Sequence, residues 1–237
     1  MLFVHGHGAY LMHELLNVPK AGKPPKYKDS WVEKLNQEGF SVCGIDQQGC
    51  GFSEGLECYV DRFDHYIDDV LQFARLLPIA QLFVGAILFA PMLSLERASK
   101  HGLNYYLRPL AALLSRIWPT LPAASTTRNH LYPELQSLWD ADPLCWHGAT
   151  RARVANEYLL ATEAGLKEMP SYTFPFIVFH GADDTLTDPD GSRTLYERSQ
   201  TKDKTFRLIE KRWHVLLKEP GNAEILQEVI AWLKART

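Results

Sequence analysis

Three short stretches carry side chains suited to nucleophilic acyl chemistry. Gly51-Phe52-Ser53-Glu54-Gly55 fits G-x-S-x-G, the pattern in which a sharp strand-to-helix turn lifts a serine hydroxyl into position as a nucleophile. "GADDTLTDP" supplies Asp184, and "KRWHVLLKEP" supplies His214. An aspartate that accepts the Nδ1–H of a histidine fixes the ring's tautomer and steadies the imidazolium. The far nitrogen can then take a proton from a hydroxyl or a water.

The elements around these residues are those of a parallel sheet. "LFV" is a short apolar run closed by His5-Gly6-His7-Gly8, so a strand is expected to end in a glycine loop. Ser30 caps "SWVEKLNQEG", a helix with Trp31 and Leu35 on one face and Gly39 as its stop. "FSVCGID" reads as the next strand, and "QQGCGFSEGLECY" as a glycine loop. "VDRFDHYIDDVLQFARLL" places Phe63, Tyr66, Ile67, Val70, Phe73, Ala74 and Leu77 near a 3.6-residue period, an amphipathic helix. "FVGAILFAP" is apolar throughout, as a strand buried on both faces would be. The order β-α-β-α-β predicts an α/β fold, a mostly parallel sheet with helices on both faces.

Residues 95–169 change character. They offer no clear strand but do hold helical segments rich in Leu, Trp and Tyr, and they read as a helical insertion. The α/β pattern returns with "YTFPFIVFHG" as a strand, "DPDGSRTLYERSQ" as a helix, "KTFRLIE" as a strand and "EILQEVIAWLKAR" as a final helix. Residues 1–94 and 170–237 are thus expected to be two parts of one domain core. Asp184 and His214 each follow a strand, so both belong in loops at the carboxyl edge of the sheet, where open α/β sheets bind their ligands.

Bulk properties remove several alternatives. A net charge of -3 leaves no basic footprint for nucleic acid. Cys43, Cys50, Cys58 and Cys145 show no C-x-x-C spacing and read as free thiols of a reducing compartment. "MLFVHGHG" lacks the basic region and cleavage site of a signal peptide, and "LFVGAILFAPML" is too short to span a bilayer. A cytoplasmic protein is expected, with its true N-terminus missing from this sequence.

The ordered segments resemble the monoacylglycerol lipase and lysophospholipase group of α/β-hydrolases, grouped with the S33-type serine hydrolases. "FVHGHGAY" is similar to that group's oxyanion loop, and "GFSVCGIDQQGCGFSEG" to its D-x-x-G-x-G-x-S-x-G loop. "GAILFAPML" is similar to a later core strand, and "DADPLCWHGATRARVANEYL" to the end of its helical lid. "FIVFHGADDTLTDP" followed by "DKTFRLIEKRWHVLLKEP" is similar to its acid and histidine segments. The resemblance implies Asp184 as triad acid, His214 as triad base and the backbone N–H of His7 as an oxyanion donor. It also implies a lipid-like ester as substrate, a lid over an acyl pocket with peripheral membrane contact through that lid, and no cofactor. "HGHG" then belongs to the oxyanion loop, and with no further ligand cluster evident in the sequence no metal is expected at His5 and His7.

Against this pattern Ser53 falls in the wrong place. Several residues separate it from Asp46 at the strand end, and several more from the following helix, whereas a nucleophile elbow needs a strand directly before it and a helix directly after. The group's own elbow, G-H-S-M-G-G, follows the next helix. Here the chain runs from Pro78 through "IAQLF" straight into "VGAILFAP". A strand, a turn and a helix, roughly thirty-odd residues, are expected to be absent, as in a truncated isoform or an imperfect gene model. The strands "LFV" and "GAILFA" would then pair directly or leave a gap. Three readings follow: an ester hydrolase by descent, inactive or impaired for want of its serine; an active esterase using Ser53; or a non-catalytic module for an apolar ligand or a partner. Acyl length and oligomeric state are not set by the sequence.

Overall fold

A computed structural model describes residues 1–77, 83–95, 104–125 and 127–237. The Pro78–Ile79 junction lies outside the described residues. Among those described, the chain runs β1 (Leu2–Val4), α1 (Leu11–Leu15), α2 (Trp31–Gln37), β2 (Cys43–Ile45), α3 (Phe63–Leu76), β3 (Ala86–Phe89), α4 (Asn104–Ile117), β4 (Pro122–Ala124), α5 (Pro133–Asp140), β5 (Thr150–Arg151), α6 (Ala152–Glu168), β6 (Phe176–Gly181), α7 (Pro189–Arg198), β7 (Lys204–Ile209) and α8 (Asn222–Lys234).

β6 is the best-covered strand. It pairs in parallel with β3 on one side and β7 on the other, and all six of its residues are buried. Its side chains alternate between two cores, as the pleat requires. Ile177 and Phe179 join Trp31 and Leu35 of α2 and Ile225, Val229 and Trp232 of α8. Phe176 and Val178 join Leu195 of α7, Met169 just past α6, and the half-buried Leu166. Helices therefore cover both faces, which is why the strand reads as an unbroken apolar run. Within the first core the Phe89 ring stacks on Phe179, their centroids 5.6 Å apart, and Trp31 meets Phe89 edge-on.

α2 begins as the sequence predicts. Ser30 Oγ accepts the Glu33 N–H at 3.1 Å, and the Glu33 carboxylate accepts the Asp29 N–H at 2.6 Å. The two bonds satisfy amides at the helix start from both directions.

β1 and β3 do not pair. Among the described residues β1 pairs only with β2, in parallel, while β3, β6 and β7 form a separate sheet. The direct pairing that the sequence reading allowed is thus not formed, and the parallel strands fall into two separate sheets. Burial is partial along this side of β3. All four residues of β3 are half-buried where its partner β6 is fully buried. Val4, Phe83 and Val84 are exposed, as are Ile67, Leu71 and Leu76 of α3, the last at 80%. α3 is amphipathic as expected, but its apolar surface is only partly covered. Phe63 and Tyr66 pack with Val154 and Tyr158 of α6, while Ile67 and Leu71 face outward.

The stretch between β3 and β6 is chiefly helical, in α4 to α6. It also contains a short antiparallel pair, β4 with β5, in a region where the sequence offered no clear strand. Three- and two-residue strands leave too little alternation to be read. No helix among the described residues is long and apolar enough to cross a membrane.

Candidate active site

β6 and β7 end side by side, and the loops that follow bring Asp184 and His214 together. His214 Nδ1 lies 2.8 Å from Asp184 Oδ2. The carboxylate has no exposed side-chain surface, whereas the imidazole is about a quarter exposed. Asp184 is surrounded by donors. Oδ1 accepts the N–H groups of Leu186 at 2.7 Å and Thr187 at 3.0 Å. Oδ2 also accepts the Thr187 hydroxyl at 2.8 Å, and His180 Nε2 lies 3.2 Å away. Burial works against the charge, but the hydrogen bonds from His180, His214 and the Thr187 amide prevail and hold the carboxyl well below the usual carboxylate range. An ionised, fixed Asp184 keeps the proton of neutral His214 on Nδ1 and leaves Nε2 free to act as a base. Among the described residues, both of His214's side-chain hydrogen-bond contacts run through Nδ1, to Asp184 and to Thr187 Oγ1.

Three supporting residues had no place in the sequence reading. His180, fully buried in β6, contacts Ser192 Oγ through Nδ1 at 2.7 Å and turns Nε2 toward Asp184. Thr187 bridges the carboxylate to the Ala90 carbonyl at the end of β3, at 3.1 Å. Glu219, also fully buried, accepts the amides of Trp213 and Val215, each at 2.9 Å, and so clamps the backbone on both sides of His214. Burial pushes the Glu219 carboxyl up, and the two amides partly offset this. A signal existed for His180, a histidine four residues before Asp184 at a strand end. Glu219 lies in "HVLLKE", where nothing distinguishes it from a surface carboxylate.

Ser53 is not brought to this pair. Its hydroxyl donates to the Asp46 carbonyl at 2.5 Å, and no contact joins it to His214 or Asp184 among the described residues. Asp46 organises the glycine loop as a whole. Its carboxylate accepts the N–H of Leu11 at 2.8 Å and of Phe52 at 3.0 Å. Gly51, at φ +54, sits so close that a Cβ there would lie 2.4 Å from Asp46 Oδ2 and 2.5 Å from Tyr10 Cβ. The glycines of "GCGFSEG" thus fit a folded turn packed on an aspartate.

His7 lies in the loop after β1, and its backbone N–H makes no hydrogen bond among the described residues. Its ring is held by the Tyr158 hydroxyl at 2.7 Å and Thr150 Oγ1 at 3.2 Å. Burial, helped by the neighbouring His5, lowers its pKa to about 4. His5 accepts the Gln47 N–H through Nε2 at 2.8 Å, so its ring is already engaged. A cluster of possible metal ligands does occur elsewhere. His13, Asp142 and Cys145 bring one ligand atom each within 4.8 Å of one another, across a sequence separation no motif would bridge. Asp142 is occupied there by the Tyr10 hydroxyl, His13 Nδ1 and the Leu144 amide. Lys218, half-buried with its Nζ on the Leu16 carbonyl, exerts its charge on His13 and Cys145. The arrangement is that of a satisfied polar core.

Comparison with known proteins agrees with this architecture. The chain is 26% identical over 238 aligned positions to the monoglyceride lipase of Rattus norvegicus, with 88% of this chain and 78% of that one covered. It is 23% identical over 229 positions to the monoacylglycerol lipase of Mycolicibacterium smegmatis, with 85% and 81% covered. Its fold matches the crystal structure of Paleococcus ferrophilus monoacylglycerol lipase with a TM-score of 0.78 at 22% identity, over 100% of this chain and 94% of that one. The alignment to the rat protein is longer than the part of this chain it takes in, so that relative carries residues with no counterpart here. The sequence profile of the family described as serine aminopeptidase, S33, matches residues 25–81 and 76–221, two pieces that overlap at residues 76–81. The chain belongs to the S33 serine hydrolase family of the α/β-hydrolases, in its monoacylglycerol lipase group.

Proposed function

We propose that this chain is a carboxylic-ester hydrolase of monoacylglycerol or lysophospholipid type by descent that keeps the acid and base of its triad but lacks a nucleophile. Asp184 is the acid, His214 the base, and the His7 backbone N–H one oxyanion donor. The observation that carries this reading is the isolation of the pair. His214 has its Nδ1 committed to a buried, charged Asp184, and no described hydroxyl or thiol is hydrogen-bonded to Nε2. An acyl-enzyme route needs such a hydroxyl within hydrogen-bond reach of the base. Without it, His214 can only draw a proton from a water, a far weaker route to ester cleavage. The two-piece family match around residues 76–81 and the uncovered apolar surface of α3 and β3 support the absence of the elbow strand and its helix. The amphipathic helices α4 to α6 suit a lid over a lipid-like ester.

Ser53 is the alternative nucleophile, and its bond to the Asp46 carbonyl argues against it. The two are separated by a fluorophosphonate probe, which marks a serine activated by a neighbouring base. Purified protein that unfolds cooperatively in urea is expected to stay unlabelled and to leave monoacylglycerol intact. Labelling that Ser53→Ala abolishes would overturn the proposal.

A further inference from the structure

The glycine loop holds a feature that ester chemistry does not use. Cys50 and Cys58 stand at its two ends, and the loop folds back so that the Cys58 N–H reaches the Gly49 carbonyl at 2.8 Å. Each thiol acts on the other's ionisation, and the Gly8 backbone acts on both. Cys58 Sγ also rests against the His7 ring, 3.5 Å from Nδ1 and 3.6 Å from Nε2. The other two cysteines have different surroundings. Cys43 contacts the Met1 carbonyl, and Cys145 is packed near Asp142.

Both sulfur-bearing residues are buried, yet they line one cavity together with Ser53, Gly55 and Glu57, which are exposed. A molecule the size of a peroxide thus has a route to them. The local chemistry favours one sulfur over the other. Hydrogen bonds from Cys58 and from the Gly8 amide lower the Cys50 pKa against the cost of burial, while Cys58, as the donor, is pushed up. A thiol of lowered pKa with a second thiol at the neck of the same loop is the arrangement of an oxidisable pair. Cys58, moreover, is held at φ +49, a left-handed conformation uncommon for a residue with a side chain.

The geometry points to Cys50 and Cys58 as a modification site, a dithiol that a hydroperoxide closes to an intramolecular disulfide. The Cys50 thiolate attacks one peroxide oxygen. The O–O bond breaks, hydroxide leaves and is protonated to water, and Cys50 becomes a sulfenic acid. The Cys58 sulfur then attacks the Cys50 sulfur. The S–O bond breaks, the departing hydroxide takes up the Cys58 proton as water, and the S–S bond forms. Two thiols and one hydrogen peroxide give one disulfide and two waters. Closure removes the Cys58 S–H from the His7 ring, leaving Tyr158 and Thr150 as its partners.

The test treats the whole purified chain with hydrogen peroxide, then alkylates the remaining thiols and maps peptides by mass spectrometry under non-reducing conditions. The expected product is two hydrogens lighter, carries a Cys50–Cys58 cross-link, leaves Cys43 and Cys145 alkylated, and forms faster in the folded chain than in concentrated urea. With Cys58→Ser, Cys50 is expected to accumulate as a sulfenic acid trapped by dimedone. The proposal is overturned if folded protein keeps all four thiols, if the cross-link engages Cys43, Cys145 or a second chain, or if urea does not slow the reaction.

Discussion

Replacing Asp184 in two ways separates its charge from its role as an acceptor. In Asp184→Ala the amides of Leu186 and Thr187 lose their partner, while the buried His180 Nε2 loses one of two contacts and keeps Thr187 Oγ1 at 3.2 Å. The Thr187 hydroxyl keeps the Ala90 carbonyl, and the partly exposed His214 can turn to water. Two amides left without an acceptor, each costing about 1–3 kcal/mol and not fully additive, put the loss at ~2–4 kcal/mol at neutral pH. Asp184→Asn retains an oxygen for the two amides. Its amide group then faces His180 and His214, and both rings must shift their protons away from it. Ser192 permits this at His180, since a hydroxyl can accept as readily as donate. The cost is then about 1–2 kcal/mol, the loss of charge-assisted bonds. The acid behaviour follows from the depressed carboxyl. Near and below about pH 4 the unfolded chain binds a proton that the folded chain does not, so the Asp184 contribution is fully present above that pH and disappears as pH falls toward the folded value. Urea unfolding followed by circular dichroism at pH 7 and near pH 3 measures all of this. The gap between wild type and Asp184→Asn should narrow in acid. The reasoning fails if Asn costs as much as Ala, or if the gap stays constant.

Two further perturbations probe the loops that follow β1 and β2. His7, with its pKa lowered to about 4 from 6.5, stays neutral while the unfolded chain takes up a proton. Its contribution is complete above pH 6.5 and declines toward pH 4 by on the order of 2–3 kcal/mol. His7→Asn should flatten that limb of the pH–stability curve, leaving the smaller slope due to His13, which burial also lowers. An unchanged slope would show that His7 is solvated. Gly51→Ala places a methyl against Asp46 and Tyr10 at a positive φ and should cost about 2–4 kcal/mol in urea unfolding. An unaltered midpoint would mean that the loop is not held by Asp46 as described.

Much of this arrangement could be read from the sequence because strand ends and glycine loops leave local marks. "FIVFHGADD" announces a buried strand followed by a carboxylate, and "FRLIEKRWH" a strand followed by a histidine. Two adjacent parallel strands must then bring Asp184 and His214 to one edge. The residues that hold them were not legible in the same way. Thr187, Ser192 and Glu219 are polar side chains whose burial depends on what packs over them, and sequence alone shows neither the cover nor the partner. Cys50 and Cys58 look unrelated because their contact depends on a loop reversal driven by Asp46. The short β4 and β5 strands pair through the fold and not through any pattern of their own.

The failure of β1 and β3 to pair has a physical reason in their neighbours. Each is fixed along one edge, β1 to β2 and β3 to β6, and each carries side chains already seated in the core that α2 and α8 share, Phe3 from β1 and Ile87 and Phe89 from β3. Pairing β1 with β3 would mean sliding one sheet toward the other and withdrawing those side chains from a packed interior, at a cost of a few kcal/mol for each one unseated. Pairing three or four residues along two short strands returns less, since a hydrogen bond contributes only about 1 kcal/mol net when water already satisfies the open edge. The acid and base do not depend on that pairing, because the hydrogen bonds that fix them among the described residues come from β6, β7, α7 and the loop before α8, with the Thr187–Ala90 bond reaching the end of β3. On the proposed reading, the hydrolase framework thus divides at the missing strand. One part keeps a proton-transfer pair in working geometry, and the part that should present a serine to it has none.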